Sequence, residues 1–340
     1  MKKITVLLLA LFMLVSALAG CGKQNDTNQT DKLSIVTTIF PEYDWVREIL
    51  GDKADNAEIT MLLDNGVDLH SYQPTADDIV KISDCDLFIY VGGESDEWVE
   101  DALRNAANRN MKVINLLEVL GDSVKTEEIV EGMQEEEHED AEEHEHEDAH
   151  AHEDAEEHEH EEETDEHVWL SLKNAKMLVR VISKALQELD PDNKDIYAAN
   201  ADAYVKKLSA LDAEYQAAVD AASNKTILFG DRFPFRYLVD DYGLRYYAAF
   251  VGCSTETEAG FETISFLAKR VDELKLPCVL TIEGARHKIA ETIVRNTTAK
   301  NQRVLTMDSM QSTTSKDVKN GTTYLSVMEK NLSVLKEALR

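Results

Sequence analysis

Apolar residues fall along this chain in short β-branched runs separated by longer amphipathic segments. Runs of strand length occupy Ser34 to Phe40, Ala57 to Leu63, Asp86 to Val91 and Lys112 to Leu117, with helix-like spacing from near Pro41, Pro74 and Ser95. Strand and helix in alternation imply a mostly parallel sheet, because a parallel neighbour is reached only through a crossover. Val168 to Leu189 then reads as a helix, and Pro191 opens another. From there to Ala222 no glycine or further proline interrupts a helical recurrence that includes Ile196, Ala199, Ala203, Leu208, Leu211, Tyr215 and Val219. A second series follows, with strands near Thr226 to Phe229, Leu244 to Phe250, Pro277 to Ile282 and Arg303 to Met307, and helices from about Thr257, Lys288 and Gly321. The pattern predicts an α/β protein of two lobes, each a mostly parallel sheet flanked by helices, joined by one long rigid helix. The expected boundaries are an N-terminal lobe over 33–190, a connecting helix over 191–223 and a C-terminal lobe over 224–340. A chain of 340 residues exceeds what a single core usually serves, which favours the division.

The N-terminus changes where this protein is expected to work. Lys2 and Lys3 precede an apolar run from Ile4 to Val15, and Leu18-Ala19-Gly20-Cys21 sits where a small-residue cleavage site belongs. The tetrapeptide resembles a bacterial lipobox. It implies a signal peptide over 1–20, lipid on the Cys21 thiol and a tether over 21–32, since the apolar run is too short to span a bilayer comfortably. The expected location is extracytoplasmic, on the outer face of the bacterial cell membrane. In that compartment Cys253 and Cys278 could pair, and spacing alone leaves the question open.

Charge narrows the chemistry. The formal charge is −31, and the forty residues from Glu127 to Glu166 hold 23 Asp or Glu, seven His and no Lys or Arg. Those histidines are His138, His144, His146, His150, His152, His158 and His160. Such a stretch buries nothing that would offset the entropy of ordering it, so a disordered loop is expected over 127–165. Neutral imidazole suits zinc, copper and nickel, and the surrounding carboxylates concentrate divalent cations, so the loop is expected to gather metal. His146, Glu147 and His150 also spell H-E-x-x-H, but a His/Glu repeat generates that pattern and the apolar face of a zinc-protease helix is missing. Outside the stretch the chain is only mildly acidic. No basic patch remains to bind nucleic acid or anionic lipid, and a cation is the natural partner.

A tight site needs residues on a packed scaffold, and only His70, His167 and His287 lie outside the loop. His70 follows the second predicted strand and His167 precedes a predicted helix; ligands in open α/β sheets bind at the carboxyl ends of strands. Asp308 and, more weakly, Glu283 share that strand-end position, whereas His287 reads as a surface residue near a helix start. Gly66-Val67-Asp68-Leu69-His70-Ser71-Tyr72-Gln73-Pro74 is similar to the first ligand motif of bacterial zinc and manganese solute-binding proteins, the ZnuA-like metal receptors of ABC importers. Asp165-Glu166-His167-Val168-Trp169-Leu170-Ser171 resembles their second, and the acidic His-rich insert resembles that of the zinc-type members. The resemblance spans the whole chain after the tether. It implies a third ligand just before an aromatic motif, matched here by Phe233-Pro234-Phe235-Arg236-Tyr237 with Tyr242-Gly243-Leu244 following. Ungapped alignment places Arg232 at that position. Arginine cannot lose a proton to bind a cation, so either Asp231 substitutes or water does, and capping a helix near Pro234 is the other role open to Asp231. Asp308 is the implied fourth ligand.

The resemblance thus implies a receptor that binds Zn2+, with Mn2+ as the alternative ion, through His70, His167, Asp231 and Asp308. Asp68 or Glu166 is expected to orient the imidazoles. The implied partners are a membrane ABC permease and the membrane itself through the lipid anchor, with no nucleic acid and no second copy of the chain. No catalysis is expected. A surface metal buffer or adhesin and a secreted metallohydrolase are the competing classes, the latter lacking a motif for a general base beside metal-bound water.

Overall fold

In the computed structural model, residues 32–134, 163–254, 258–284 and 287–340 are described. The proposed signal peptide, Cys21 and the seven insert histidines lie outside them. β1 (Leu33–Thr37), α1 (Phe40–Leu50), β2 (Ala57–Met61), α2 (Ala76–Asp84), β3 (Leu87–Tyr90), α3 (Trp98–Arg104), β4 (Lys112–Asn115) and α4 (Leu116–Leu120) alternate as the sequence predicts. The four strands form one all-parallel sheet in the order β2-β1-β3-β4, with Ile35 in register with Ile59 on one side and Leu87 on the other. β1 is shorter than its apolar run because Pro41 and Glu42 start a helix. The Glu42 carboxylate accepts the backbone N–H groups of Thr38 at 2.9 Å and Ile39 at 3.3 Å, satisfying donors that a longer strand would need.

The long helical region is broken where caps intervene. Val168–Leu170 is a single 3-10 turn, and α5 (Leu172–Leu189) begins after Ser171, whose Oγ accepts the Asn174 N–H at 3.0 Å. A turn at Pro191–Asn193 leads into α6 (Lys194–Ala221), 28 residues long. Its buried face carries Tyr197, Tyr204, Leu208, Leu211, Tyr215 and Val219 and packs on α1, α5 and the C-terminal helix.

The second series comprises β5 (Thr226–Leu228), β6 (Arg232–Phe233), α7 (Arg236–Tyr242), β7 (Arg245–Tyr247), β8 (Phe250–Val251), α8 (Phe261–Leu274), β9 (Cys278–Thr281), α9 (Lys288–Asn296), β10 (Arg303–Thr306), α10 (Ser315–Lys319) and α11 (Tyr324–Ala338). β5 pairs with β7 and β9 with β10, all parallel, and a parallel bridge from Phe229 to Leu280 links the two pairs. The resulting order β7-β5-β9-β10 repeats the second-first-third-fourth arrangement of the N-terminal sheet. β6 and β8 form a separate parallel pair. The sequence expects one strand over Leu244 to Phe250; the chain instead turns at Ala248 and Ala249, both buried, because Ala249 N–H bonds to the Asp231 carbonyl at 3.1 Å. α11 packs on α1 and α6 as well as β9 and β10, so the C-terminus closes against the first helix.

A structureless loop over 127–165 is too wide an expectation at both ends. Thr126 and Thr164 form an antiparallel bridge, flanked by Glu127 N–H to Glu163 O at 2.8 Å and Asp165 N–H to Lys125 O at 2.9 Å. Tyr237 Oη accepts the Lys125 N–H at 3.0 Å and donates to the Asp165 carbonyl at 2.8 Å. Met133 is buried, and Gln134 N–H bonds to Ala249 O at 2.9 Å. Composition favours disorder, but backbone pairing and these anchors hold both ends. Among the described residues no helix is long and apolar enough to cross a membrane.

One core contact makes stability pH-dependent. Asp44 of α1 is buried and accepts the Tyr324 N–H at the start of α11 at 2.9 Å. Burial pushes its carboxyl pKa up to about 7 from an ordinary 3.8. A raised acid pKa means that the folded state binds the proton more tightly than the unfolded one. Its contribution is therefore whole near pH 4 and lost as pH rises through about 7. Asp44→Asn keeps an acceptor for Tyr324 and removes the ionisation, so its melting temperature at pH 8 should exceed wild type by about 3–6 °C, the gap narrowing on acidification and closing near pH 4. Equal melting temperatures at pH 8 would refute this.

Candidate metal centre

His70 is delivered by the loop after β2. Asp68 accepts the His70 backbone N–H at 3.1 Å and caps the 3-10 turn Leu69–Ser71, which fixes where the imidazole emerges. His167 closes the segment from the insert's neck into the Val168–Leu170 turn and is fully buried. Two glycines make room. At Gly93, with φ +81°, a Cβ would stand 2.3 Å from Glu166 Oε1; at Gly252 it would stand 3.1 Å from His167 Cε1.

The two imidazoles meet with Nε2 atoms 3.3 Å apart and ring centroids 5.2 Å apart. Each ring is held from behind through Nδ1. For His167 the partner is Asp165 Oδ1 at 2.9 Å; for His70 it is Ser95 Oγ at 2.8 Å, with Glu166 Oε2 at 3.4 Å. A carboxylate only accepts, so His167 Nδ1 carries the proton and its Nε2 presents a lone pair; the Ser95 hydroxyl can accept from His70 Nδ1, and in that tautomer His70 Nε2 presents its lone pair as well. Two lone pairs facing at this distance would repel in that tautomer, and a cation between them turns the repulsion into attraction. Two nitrogens bound at 2.0–2.1 Å around a tetrahedral ion stand about 3.3–3.4 Å apart, which is the separation found here.

The electrostatics agree with a ligand role. Burial and the neighbouring His167 push the His70 pKa down to about 3, so this ring is neutral in the working range. Burial also opposes charge on His167, but the Asp165 carboxylate outweighs it and holds that pKa above its ordinary value. Glu166, named in the sequence as a residue orienting the imidazoles, faces His70. Asp68 instead acts on the His70 backbone and pairs with Arg232. Asp165 is the orienting residue that sequence reading overlooked.

The third group brought to the pair is Cys253, just after β8. One ligand atom each from His70, His167 and Cys253 lie within 4.8 Å of one another, and among the described residues no other three His, Cys, Asp or Glu are so grouped. The Cys253 N–H donates to Glu127 Oε1 at 2.8 Å. Cys253 and Cys278 are both free thiols, so the pairing left open by the sequence is not made.

Neither expected carboxylate ligand reaches within that distance of both imidazoles. Asp231 Oδ2 accepts from Thr281 Oγ1 at 2.5 Å and Oδ1 from the Arg232 N–H at 3.0 Å, which ties the residue to the end of β9. It does not cap α7, which starts later. Asp308 Oδ1 accepts the Met310 N–H at 2.8 Å, within a loop that Glu283 organises by accepting Ser309 N–H at 2.6 Å and Gln311 N–H at 3.0 Å. Burial and Glu283 push the Asp308 pKa up to about 6. The Arg232 guanidinium pairs with Asp68 and donates to Ser254 O at 3.3 Å, bridging the loops that carry His70 and Cys253. His287, read as a surface residue, is half-buried and bonded to Thr281 Oγ1 at 3.1 Å.

Residues 35–338 match the model of the ZnuA family, described as zinc-uptake complex component A, periplasmic. The chain is 33% identical over 337 residues to the zinc-binding lipoprotein AdcA of Streptococcus pneumoniae serotype 4, covering 99% of this chain and 61% of that protein. It thus spans about three fifths of the length of this curated relative. It is 31% identical to the high-affinity zinc uptake system protein ZnuA of Bacillus subtilis, covering 97% of this chain and 95% of that protein. Among solved structures, the Zn(II)-bound ZnuA-like domain of S. pneumoniae AdcA aligns with a TM-score of 0.67 at 29% identity, over 91% of this chain and 99% of that one. The metal-dependent lipoprotein YcdH of B. subtilis gives 0.69 at 25% identity, again over 91% and 99%.

Proposed function

Because the chain belongs to the ZnuA family of zinc-uptake components, we propose that it is a lipid-anchored extracytoplasmic receptor that captures Zn2+ and hands it to a membrane ABC permease. The observation that carries this reading is the pair of facing Nε2 atoms, with the Asp165 carboxylate on His167 Nδ1 and the Ser95 hydroxyl on His70 Nδ1. That geometry suits a cation, which two ring nitrogens at this separation can share. The ion is cargo, and its transit makes and breaks only coordination bonds. His70 and His167 hold it, Asp165 and Glu166 orient the rings, and the histidines of the acidic insert raise the local supply. Cys21 supplies the anchor. Imidazole donors and a nearby thiol favour zinc over manganese, which prefers more oxygen.

The test is competition on the full chain. Zinc should be held roughly 10²-fold or more tightly than manganese, following the stability order of nitrogen-rich sites. Manganese that displaces zinc at equal concentration would overturn the choice of ion, and a zinc affinity indifferent to both His70→Ala and His167→Ala would overturn the site.

A further inference from the structure

We infer that Cys253 is the third protein ligand of the captured ion, giving a His70-His167-Cys253 centre. The inference rests on the receptor reading and deepens it by naming the donor set. The residue aligned with the third ligand motif is Arg232, whose guanidinium is spent on Asp68 and the Ser254 carbonyl and has no lone pair to offer. Asp231 is turned toward Thr281. The opening left beside the two imidazoles is met by Cys253, the third group within the 4.8 Å cluster.

Three features place the thiol there. β8 runs parallel to β6, with Phe233 in register with Val251, so the residues after Val251 emerge at the carboxyl end of the pair beside the site. Gly252 lets the backbone pass against the His167 ring. The Glu127 carboxylate accepts the Cys253 N–H at 2.8 Å, which fixes the backbone from which the thiol projects. In a tetrahedral zinc site with Zn–S near 2.3 Å and Zn–N near 2.0–2.1 Å, donor atoms stand about 3.3–3.7 Å apart, so closure from 4.8 Å or less asks for about 1 Å of side-chain movement.

On binding, the S–H bond of Cys253 breaks, its electron pair forms the bond to the ion and the proton leaves to solvent. Nothing is oxidised or reduced. The thiolate cancels one of the two positive charges of the ion close to the Arg232 guanidinium, where the family pattern would place a ligand rather than a second cation. A soft sulfur donor also rejects manganese more strongly than a carboxylate would.

Cobalt(II) as a spectroscopic stand-in decides the matter on the full-length wild-type protein. One equivalent should give tetrahedral visible bands together with an intense near-ultraviolet thiolate-to-cobalt charge-transfer band, and Cys253→Ser should lose that band. The same variant should bind zinc roughly 10²-fold more weakly, a ligand counting for at least as much as an outer-sphere partner. Its metal-free melting temperature should match wild type, which separates ligation from folding. Cobalt held by wild type without the charge-transfer band, and lost on His70→Ala, would overturn Cys253 and leave the receptor intact. Cobalt and zinc binding unchanged in His70→Ala, His167→Ala and Cys253→Ser would overturn the receptor site itself.

Discussion

Zinc affinity should collapse when His167 is replaced by alanine, by well over the roughly 10–100-fold that removal of an outer hydrogen-bond partner costs. The substitution deletes one of two facing nitrogens and takes the imidazole from the buried Asp165 carboxylate, which keeps the residue-167 backbone N–H at 2.9 Å. Asp165→Asn provides the graded comparison. It keeps the shape but can donate to Nδ1, favouring the tautomer with its proton on Nε2, so a loss in the 10–100-fold range is expected with the ligand still present. Acid should act in the same direction. A raised His167 pKa means that a proton competes with the ion there first, so affinity should fall about tenfold per pH unit once pH drops below that pKa. Isothermal titration of the three proteins at pH 7.5 and pH 5.5 measures all of this. Equal affinity for wild type and His167→Ala at pH 7.5 would refute the role given to this ring.

The largest effect on folding is expected at Trp169. Its side chain is fully buried two residues after His167, with Nε1 donating to the Ser309 carbonyl at 2.8 Å, while its own carbonyl accepts from Tyr324 Oη at 2.6 Å. One residue thus links the segment carrying His167, the loop carrying Asp308 and the first turn of α11. Trp169→Ala opens a large cavity and strands the Ser309 carbonyl, at a combined cost of about 3–5 kcal/mol. In a domain of this size that corresponds to a fall in melting temperature of order 10 °C. Zinc affinity should fall alongside, because the Val168–Leu170 turn loses the packing that seats His167. A drop below about 1 kcal/mol in denaturant titration would show that the linkage is not structural.

Much of this was legible from residue order. The parallel sheets follow from β-branched runs alternating with amphipathic ones; His70 stands out because it follows a strand, His167 because it precedes a helix, and a family motif surrounds each. What escaped was set by geometry that spacing does not encode. Cys253 reaches the site because Leu244 to Phe250 is not one strand. The turn at Ala248 and Ala249 starts a second, two-residue strand that pairs with β6 and aims the following loop at His167. A seven-residue apolar run gives no sign of that turn, since both alanines are as apolar as their neighbours. Chemistry favours Asp231 or water over Arg232 at the third position, because a guanidinium has no lone pair to give. Yet the side-chain direction at the end of β5 sends Asp231 to Thr281, and a carboxylate beside a strand end looks the same in sequence whether it points at the site or along the sheet. Asp165 and Glu166 are adjacent carboxylates that sequence cannot rank, since only the folded chain shows which one shares a face with the His167 ring.

The bridge between Thr126 and Thr164 carries a consequence for how this family varies. Because the neck is closed by backbone pairing and by Tyr237, the position of Asp165, and through it the tautomer of His167, is set below the insert rather than by it. For a flexible loop closed at such a neck, each doubling of length costs only about 0.6 kcal/mol of closure entropy. An insert hung above this neck can therefore lengthen or shorten with the groups that orient His167 left in place, so the two segments are free to evolve independently.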